Sequence, residues 1–399
     1  MFGSLVISVK YGLVLGAPAA APHVGTPTVT GPRTTTSEQP AYRFRAAHAV
    51  SFRCSFDSKS LHVCASRYSE RLLPGSHTLR VRAVGRRDVS RIVTVKVAVT
   101  VPYAALTADN PIQVGAGAGV PAVGGGSVWV PLTETGELAR VDPVAGAVTA
   151  KNRVGVPGRS GFLDSADAAG GSIWHASDAG GTVARVDAAS GAPTATVAVG
   201  NRPGGLTVGG GAIWTYSFLG TDITRIDLAT ATPRMLHVDG ALGTGVAYGD
   251  GAIWLLSTGP ARILEVDPAS GAVLSSSELH APFPTRYSVI ESWSLAYGDG
   301  ALWATLPNYG AVARLDTATH ALLYARTPYG RPFGVAAGGG SAWVATDHGV
   351  VRLNGATGEI AGVALLPAAN RSGFASIAYD DGAAWFTNYD RGTLTRVSG

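Results

Sequence analysis

The sequence contains little cysteine, little methionine and little charge. Only two cysteines and two methionines occur among 399 residues, and charged residues make up 15% of the chain. The spacing of Cys54 and Cys64 matches no zinc site, which needs three or four ligands at tight intervals. We therefore expect a single Cys54–Cys64 disulfide and an oxidising compartment. Hydrophobic residues at 46% and 53 glycines favour a folded, turn-rich β protein over a disordered chain.

Long apolar runs are also absent. No segment reaches the roughly 18 apolar residues that a membrane helix needs, so we expect no membrane span. Residues 1–22 resemble an imperfect signal peptide, because residues 11–16 are apolar and Ala19–Ala21 offer a small-residue cleavage site, although Lys10 interrupts the apolar stretch. These features predict a protein that is secreted or associated with the cell envelope.

The formal net charge of +4 is unevenly distributed. Residues 23–103 hold eleven Arg and two Lys against four acids, whereas residues 104–399 hold sixteen Arg and one Lys against twenty-three acids. Clustered cations raise the local concentration of anionic partners. The basic N-terminal part is therefore predicted either to contact a polyanion of the cell envelope or to dock on its own acidic neighbour.

Seven tryptophans mark a repeat of 40 to 49 residues in the second part of the chain. Gly-rich or Asp-Gly turns precede most of them, as at 124–126 and 249–251, and such turns join adjacent antiparallel strands. A third strand then ends in Ala-Arg-Val-Asp or a close variant, and a fourth strand follows. Four short strands per repeat are typical of a β-propeller, in which we expect the tryptophans to pack between blades. These tryptophans are Trp129, Trp174, Trp214, Trp254, Trp303, Trp343 and Trp385.

The ends of the repeat region predict how the ring closes. The seventh unit stops at its third strand, Thr395–Val397, whereas Pro111–Val114 supplies an additional strand ahead of the first unit. Pairing these two segments would remove the exposed edges of the first and last blades. We therefore predict that residues 104–399 form a seven-bladed β-propeller with strand-exchange closure.

The repeat resembles the YVTN and NHL-type repeats and the propeller of the virginiamycin B lyase (streptogramin lyase) family, over roughly residues 110–399. This resemblance implies a catalytic His in a Pro-His-Gly segment and a Glu, three residues after a Trp, that helps hold magnesium. The sequence has Pro203-Gly204-Gly205 and Pro332-Phe333-Gly334 where the His would fall. No Glu stands three residues after any repeat Trp, and Asn388 comes closest. A lyase or hydrolase is therefore the alternative function, with no catalytic residue, metal ligand or cofactor assigned.

Residues 23–103 read as alternating strands without a helical stretch, which favours a small β-sandwich. The predicted strands include Tyr42–Arg45, Val50–Ser55, His77–Val84 and Ile92–Val99. The run Phe52-Arg53-Cys54-Ser55-Phe56-Asp57, the second cysteine and the turn Pro74-Gly75-Ser76-His77-Thr78 are similar to an immunoglobulin-like module of secreted bacterial proteins. The resemblance implies a spacing, anchoring or adhesive role.

Arginines recur in the loop that leads into the innermost strand of five of the seven units. In a propeller these loops surround one mouth of the central channel, where guanidinium groups could bind carboxylate or phosphate. We therefore predict an extracellular binding or adhesion protein whose ligand is an anionic glycan, a phosphate-bearing polymer or an acidic peptide. The alternative is that these arginines only stack or bond across adjacent blades. We expect a monomer that binds no nucleic acid. The candidate ligand-binding residues are Arg159, Arg202, Arg286, Arg331 and Arg371, with the aromatic residues Tyr287, Tyr309 and Tyr389.

Overall fold

The computed structural model describes residues 22–37, 39–70, 72, 74–101, 103–158, 164–200, 202–258, 260–280, 293–366 and 375–399. The chain divides into two compact units, Met1–Pro102 and Tyr103–Gly399, which are described separately. Apart from a 3-10 turn at Pro307–Tyr309, the regular structure of the described residues consists of β-strands. Within those ranges, no helix is long and apolar enough to cross a membrane.

The N-terminal unit contains two β-sheets in its described part. One sheet has the strand order β1-β3-β6, and the other has the order β2-β8-β7-β4-β5. The strands are β1 (Thr28–Thr30), β2 (Thr34–Thr35), β3 (Ala41–Arg45), β4 (Ser51–Phe56), β5 (His62–Cys64), β6 (Arg67–Ser69), β7 (Gly75–Val84) and β8 (Val93–Val99).

Strict alternation in the sequence places one face of each sheet in a shared core. In β3, Tyr42 and Phe44 are buried while their neighbours are exposed. Their partners in the core include Phe52 from β4 and Leu79 from β7, so the two sheets pack face to face. Cys54 and Cys64 form a disulfide between β4 and β5, with Cα atoms 6.0 Å apart. The unit is thus a small β-sandwich, and its immunoglobulin-like character stays a prediction.

The second unit is a seven-bladed β-propeller, which confirms the predicted architecture. Its first three strands, β9 (Ala104–Ala105), β10 (Thr107–Ala108) and β11 (Ile112–Gln113), precede the blades. Blades 1 to 3 consist of β12 (Ala122–Gly124), β13 (Ser127–Leu132), β14 (Glu137–Asp142), β15 (Ala147–Arg153), β16 (Ser165–Ala169), β17 (Ser172–Ser177), β18 (Thr182–Asp187), β19 (Pro193–Ala198), β20 (Pro203–Gly209), β21 (Ala212–Ser217), β22 (Asp222–Asp227) and β23 (Pro233–His237), four strands to each blade.

Blades 4 to 7 continue the pattern. They consist of β24 (Gly243–Gly249), β25 (Ala252–Ser257), β26 (Arg262–Val266), β27 (Val273–Glu278), β28 (Leu295–Gly298), β29 (Ala301–Leu306), β30 (Ala311–Asp316), β31 (Leu322–Arg326), β32 (Pro332–Gly338), β33 (Ser341–Thr346), β34 (Gly349–Asn354), β35 (Ile360–Leu365), β36 (Ala375–Asp380), β37 (Ala383–Asn388) and β38 (Thr393–Ser398).

The repeat tryptophans form the inter-blade core. All seven are at most 4% exposed. In five blades the Arg of the third strand lies over the Trp ring of the same blade, for example Arg140 over Trp129 at 5.2 Å. The Asp that ends the third strand accepts backbone N–H bonds in the turn that follows, as Asp187 does from Ser190 at 2.7 Å. The Trp-Arg-Asp pattern is therefore explained by packing and turn formation.

The blades form a closed ring because the last one is completed from upstream of the first. In blade 7, β38 pairs with β10 and β11, with Thr107 opposite Ser398 and Ile112 opposite Leu394. The innermost strands contact one another in order, and β36 contacts β12. The buried hydroxyl of Thr387 also donates a hydrogen bond of 2.9 Å to the Gly119 carbonyl, which links blade 7 to blade 1.

Candidate functional site

A cavity of about 790 Å³ occupies the central channel of the propeller. Residues from the innermost strands of blades 2 to 7, together with Val120 and Pro121 ahead of blade 1, line it. The parallel bridge between Val120 and Ser165 shows that neighbouring blades run in the same direction along the channel. Ala, Val and Leu together with aromatic residues make up most of the wall, with Ser, Thr and two Asp residues among them, and this volume and mixed polarity suit a small organic ligand.

The starts of the innermost strands define one end of the cavity, which we call the mouth. Arg202 lies here, directly before β20, with its guanidinium 5.1 Å from the centre of the Phe218 ring. Its Nε atom lies 3.2 Å from Oδ1 of Asp178, whose side chain is 3% exposed. Asp178 follows the second strand of blade 2, so this ion pair joins adjacent blades. Arg202 also has a φ of +54°, a left-handed conformation that is unfavourable for residues with a Cβ.

Arg331 occupies the corresponding position before β32 in blade 6. Its guanidinium lies 5.0 Å from the centre of the Phe333 ring, and its Nε is 3.5 Å from Oδ2 of Asp347. The backbone N–H of Arg331 donates to Oδ1 of Asp347 at 2.9 Å. More than half of the Arg331 side chain, 54%, is exposed, against 15% for Asp347. At both positions a cation is therefore fixed by one carboxylate and stacked on a Phe that lines the cavity.

Neither Tyr309 nor Tyr389 is among the residues that line the cavity. Tyr309 ends the 3-10 turn and packs, half-buried, against the core between blades 4 and 5. Tyr389 directly follows β37, and burial together with the nearby Glu134 carboxylate raises its pKa. Burial and the charge of Asp178 likewise raise the pKa of Tyr216, which lines the cavity and donates to the Thr244 carbonyl at 2.7 Å. Four sequence candidates, Arg159, Arg286, Arg371 and Tyr287, lie outside the described residues.

A buried acid-histidine pair lies close to the mouth on blade 2. Nε2 of His175 is 3.4 Å from Oδ2 of Asp164, and the side chains are 0% and 1% exposed. Oδ1 of Asp164 accepts the backbone N–H of Asp178 at 3.0 Å, which helps to position Asp178. Neither side chain of the pair reaches solvent in the part of the chain that the structure describes. The described ranges also contain no group of three or more His, Cys, Asp or Glu side chains that could hold a metal ion.

Three tyrosines lie at the end of the channel opposite the mouth. Tyr248, Tyr297 and Tyr379 line the cavity near the ends of their innermost strands. The Tyr248 ring is stacked on Trp214 of the preceding blade, with ring centres 6.5 Å apart, and Tyr379 is stacked on Trp343 in the same way at 5.7 Å. Tyr248 and Tyr379 therefore join adjacent blades.

The sequence analysis did not identify Asp167, a carboxylate on the cavity wall. Asp167 lies in β16 and is paired in register with Trp174. Burial raises the pKa of this carboxyl to about 6, even though backbone N–H groups of Ala168 and Val208 donate to it. An alignment of the repeats could have revealed it, because Asp167 stands seven residues before its Trp, where five other blades have Ala. The two acids of the Arg pairs could have been found in the same way, since Asp178 and Asp347 each stand four residues after a Trp.

Comparison with known proteins supports the fold. A chain of Kuenenia stuttgartiensis hydrazine synthase superposes with a TM-score of 0.57 at 15% identity, covering 71% of this chain and 96% of that one. The β-propeller domain of Cps50 (Swd1) from Myceliophteria thermophila gives a TM-score of 0.59 at 12% identity, covering 74% and 99% of the two chains. At such identities the similarity concerns the fold alone, which hosts many unrelated functions.

No protein-family model matches the sequence, and no curated protein matches it. The class that fold and site define is therefore a seven-bladed β-propeller with a ligand-sized cavity in its channel.

Proposed function

We propose that this chain is an extracellular binding protein whose ligand, an acidic polymer or peptide, contacts the mouth of the propeller channel. The observation that carries this proposal is the pair of guanidinium groups stacked on cavity-lining phenylalanines, Arg202 on Phe218 and Arg331 on Phe333. Arg is suited to carboxylate and phosphate because its planar fork donates two parallel hydrogen bonds.

The carboxylates beside these arginines limit the strength of any positive field. Arg202 and Arg331 are each paired with an Asp, so the long-range attraction that these two arginines exert on an anion is weak. The pairs instead hold each guanidinium in a fixed orientation. A guanidinium that is already held by an Asp and a Phe loses little conformational freedom when a ligand binds. The exposed Arg331 is the better placed of the two for a ligand contact.

The extracellular setting is supported by the Cys54–Cys64 disulfide, since disulfides persist in oxidising environments. The basic N-terminal unit is proposed to hold the protein on a polyanion of the cell envelope, through exposed cations such as Arg86 and Arg87. Replacing both by Ser should weaken sedimentation with immobilised polyphosphate at low salt. Unchanged sedimentation would refute this role.

The mouth proposal is tested with polygalacturonate, polyphosphate and poly-glutamate as probes. We expect Arg331→Gln to weaken binding of at least one probe threefold to tenfold, and Arg331→Gln with Arg202→Gln to weaken it further. The matched control is Arg153→Gln with Arg234→Gln, which removes two exposed cations from outer strands of blades 1 and 3. Equal losses in control and mouth variants would show a nonspecific charge effect and refute the proposal.

Folding is followed in parallel because Arg202 neutralises a buried acid. Removing Arg202 leaves the buried Asp178 carboxylate without its cation, which is expected to destabilise the propeller. A melting curve therefore accompanies each variant. The single Arg331→Gln variant decides the test if the double variant unfolds, since Asp347 is partly exposed and tolerates the loss.

A further inference from the structure

At one level of the channel wall, polar side chains are confined to two neighbouring blades. One residue of each innermost strand pairs in register with the repeat Trp of its blade. Six of these seven residues line the cavity, all except Ala122. In chain order the seven are Ala122, Asp167, Thr207, Ala247, Ala296, Ala336 and Ala378. Blades 2 and 3 therefore place a carboxylate and a hydroxyl side by side where every other blade has a methyl group.

The fold does not need a carboxylate at this position. Five blades form the same strand pairing with Ala, so the strand pairing itself does not require a carboxylate here. Its Oδ1 accepts the Ala168 N–H at 2.8 Å, and the backbone of Val208 in the next blade also donates to it. These bonds hold the side chain at the boundary between blades 2 and 3, on the cavity wall.

Asp167 lacks a cationic partner among the described side chains. The cavity's other carboxylate, Asp178, is neutralised by Arg202, whereas the salt bridges of the described ranges include none to Asp167. Asp167 is half-buried, and a carboxylate that is partly removed from water and has no cationic partner is costly to ionise, which is the direction of its raised pKa. A cationic group on a ligand would offset the cost of ionising Asp167.

We propose that the channel cavity binds a small apolar molecule that carries one protonated amine, with the ammonium group against Asp167 and Thr207 and the apolar body against the Ala, Val and Leu wall. This site lies inside the channel and is independent of the acidic ligand proposed for the mouth. The ligand at this site carries a positive charge, whereas the ligand proposed for the mouth is acidic, because the protein supplies a carboxylate here and guanidinium groups there.

The test uses three probes that share one ring system and differ in charge: 1-naphthylmethylamine, 1-naphthylmethanol and 1-naphthoate. Fluorescence titration of the full chain at pH 8 should give one site, with the amine bound at least tenfold more tightly than the alcohol and the acid bound weakest. In Asp167→Asn and Asp167→Ala the amine and the alcohol should bind with affinities within twofold of each other. Ala is already present at this position in five blades, so the second variant is expected to fold.

The control variant is Asp239→Asn, which removes one carboxylate whose side chain is 98% exposed. It should keep the wild-type preference for the amine, and Arg331→Gln should keep it as well, which separates this site from the mouth. Equal affinity of wild type for amine and alcohol, or an unchanged preference in the Asp167 variants, would overturn the proposal. The wild-type preference decides the matter by itself if an Asp167 variant does not fold.

Discussion

The burial of Asp167 makes a quantitative prediction about stability and pH. Its pKa rises from 3.8 to about 6 in the folded protein, mainly through desolvation. Between those values the folded state keeps a proton that the unfolded state has released, so the free energy of unfolding falls as pH rises through this window. Because each pKa unit corresponds to about 1.4 kcal/mol, the decrease in the free energy of unfolding reaches about 3 kcal/mol well above pH 6.

Asp167→Ala removes this loss and should therefore become progressively more stable relative to wild type as pH rises. The variant also leaves the N–H groups of Ala168 and Val208 without their acceptor, at about 1 kcal/mol each. That cost does not depend on pH, so it cancels when two pH values are compared. We expect the stability difference between variant and wild type to shift in favour of the variant by about 2–3 kcal/mol from pH 4 to pH 8.

The assay is urea unfolding of both proteins at half-unit pH intervals, followed by far-UV circular dichroism and tryptophan fluorescence. All other titrating groups are common to the two proteins, and Asp239→Asn serves as the control that removes an exposed carboxylate. A stability difference that stays constant from pH 4 to pH 8 would show that Asp167 titrates normally and is not desolvated.

Two further predictions concern contacts between blades. A Cβ on Gly249 would lie 2.2 Å from Cδ2 of Tyr297 in the next blade, so Gly249→Ala should lower the free energy of unfolding by about 1–3 kcal/mol in urea. Adding Tyr297→Ala to the same chain should recover part of this loss, because it removes the clashing ring. Strictly additive effects of the two substitutions would refute the contact. Thr387→Val removes the hydroxyl that donates to the Gly119 carbonyl and should lower the free energy of unfolding by about 1–2 kcal/mol. Thr387→Ser keeps the hydroxyl and should lower it less. A Ser variant as unstable as the Val variant would contradict this role.

Much of the propeller could be predicted because its signals are local. The sequence signals are alternating strands, Asp-Gly turns and a recurring Trp, and each can be recognised within about ten residues. The number of times they repeat gives the number of blades. The short strands β1, β2, β5 and β6 of the N-terminal unit were not predicted, because two or three residues carry too little alternation to stand out from loops.

The site was harder to predict because it depends on distant residues meeting around one axis. The sequence placed Arg202 and Arg331 near a channel mouth but gave no sign that Asp178 and Asp347 would pair with them. Asp167 was missed for a related reason. A single Asp in an alternating strand is typical of a solvent-facing position, and only the register shows that this residue lines a channel.

Both proposed sites require a closed ring, and the closure can be measured directly. Thr107 lies opposite Ser398 in the pairing of β10 with β38, and directly opposed residues of antiparallel strands have Cβ atoms about 4.5–5.5 Å apart. Thr107→Cys with Ser398→Cys should therefore form a bond on mild oxidation, detected by peptide mass spectrometry as a 107–398 link within one chain alongside the Cys54–Cys64 link. Two new thiols that stay reduced, or that link only between chains, would contradict the closed seven-bladed ring.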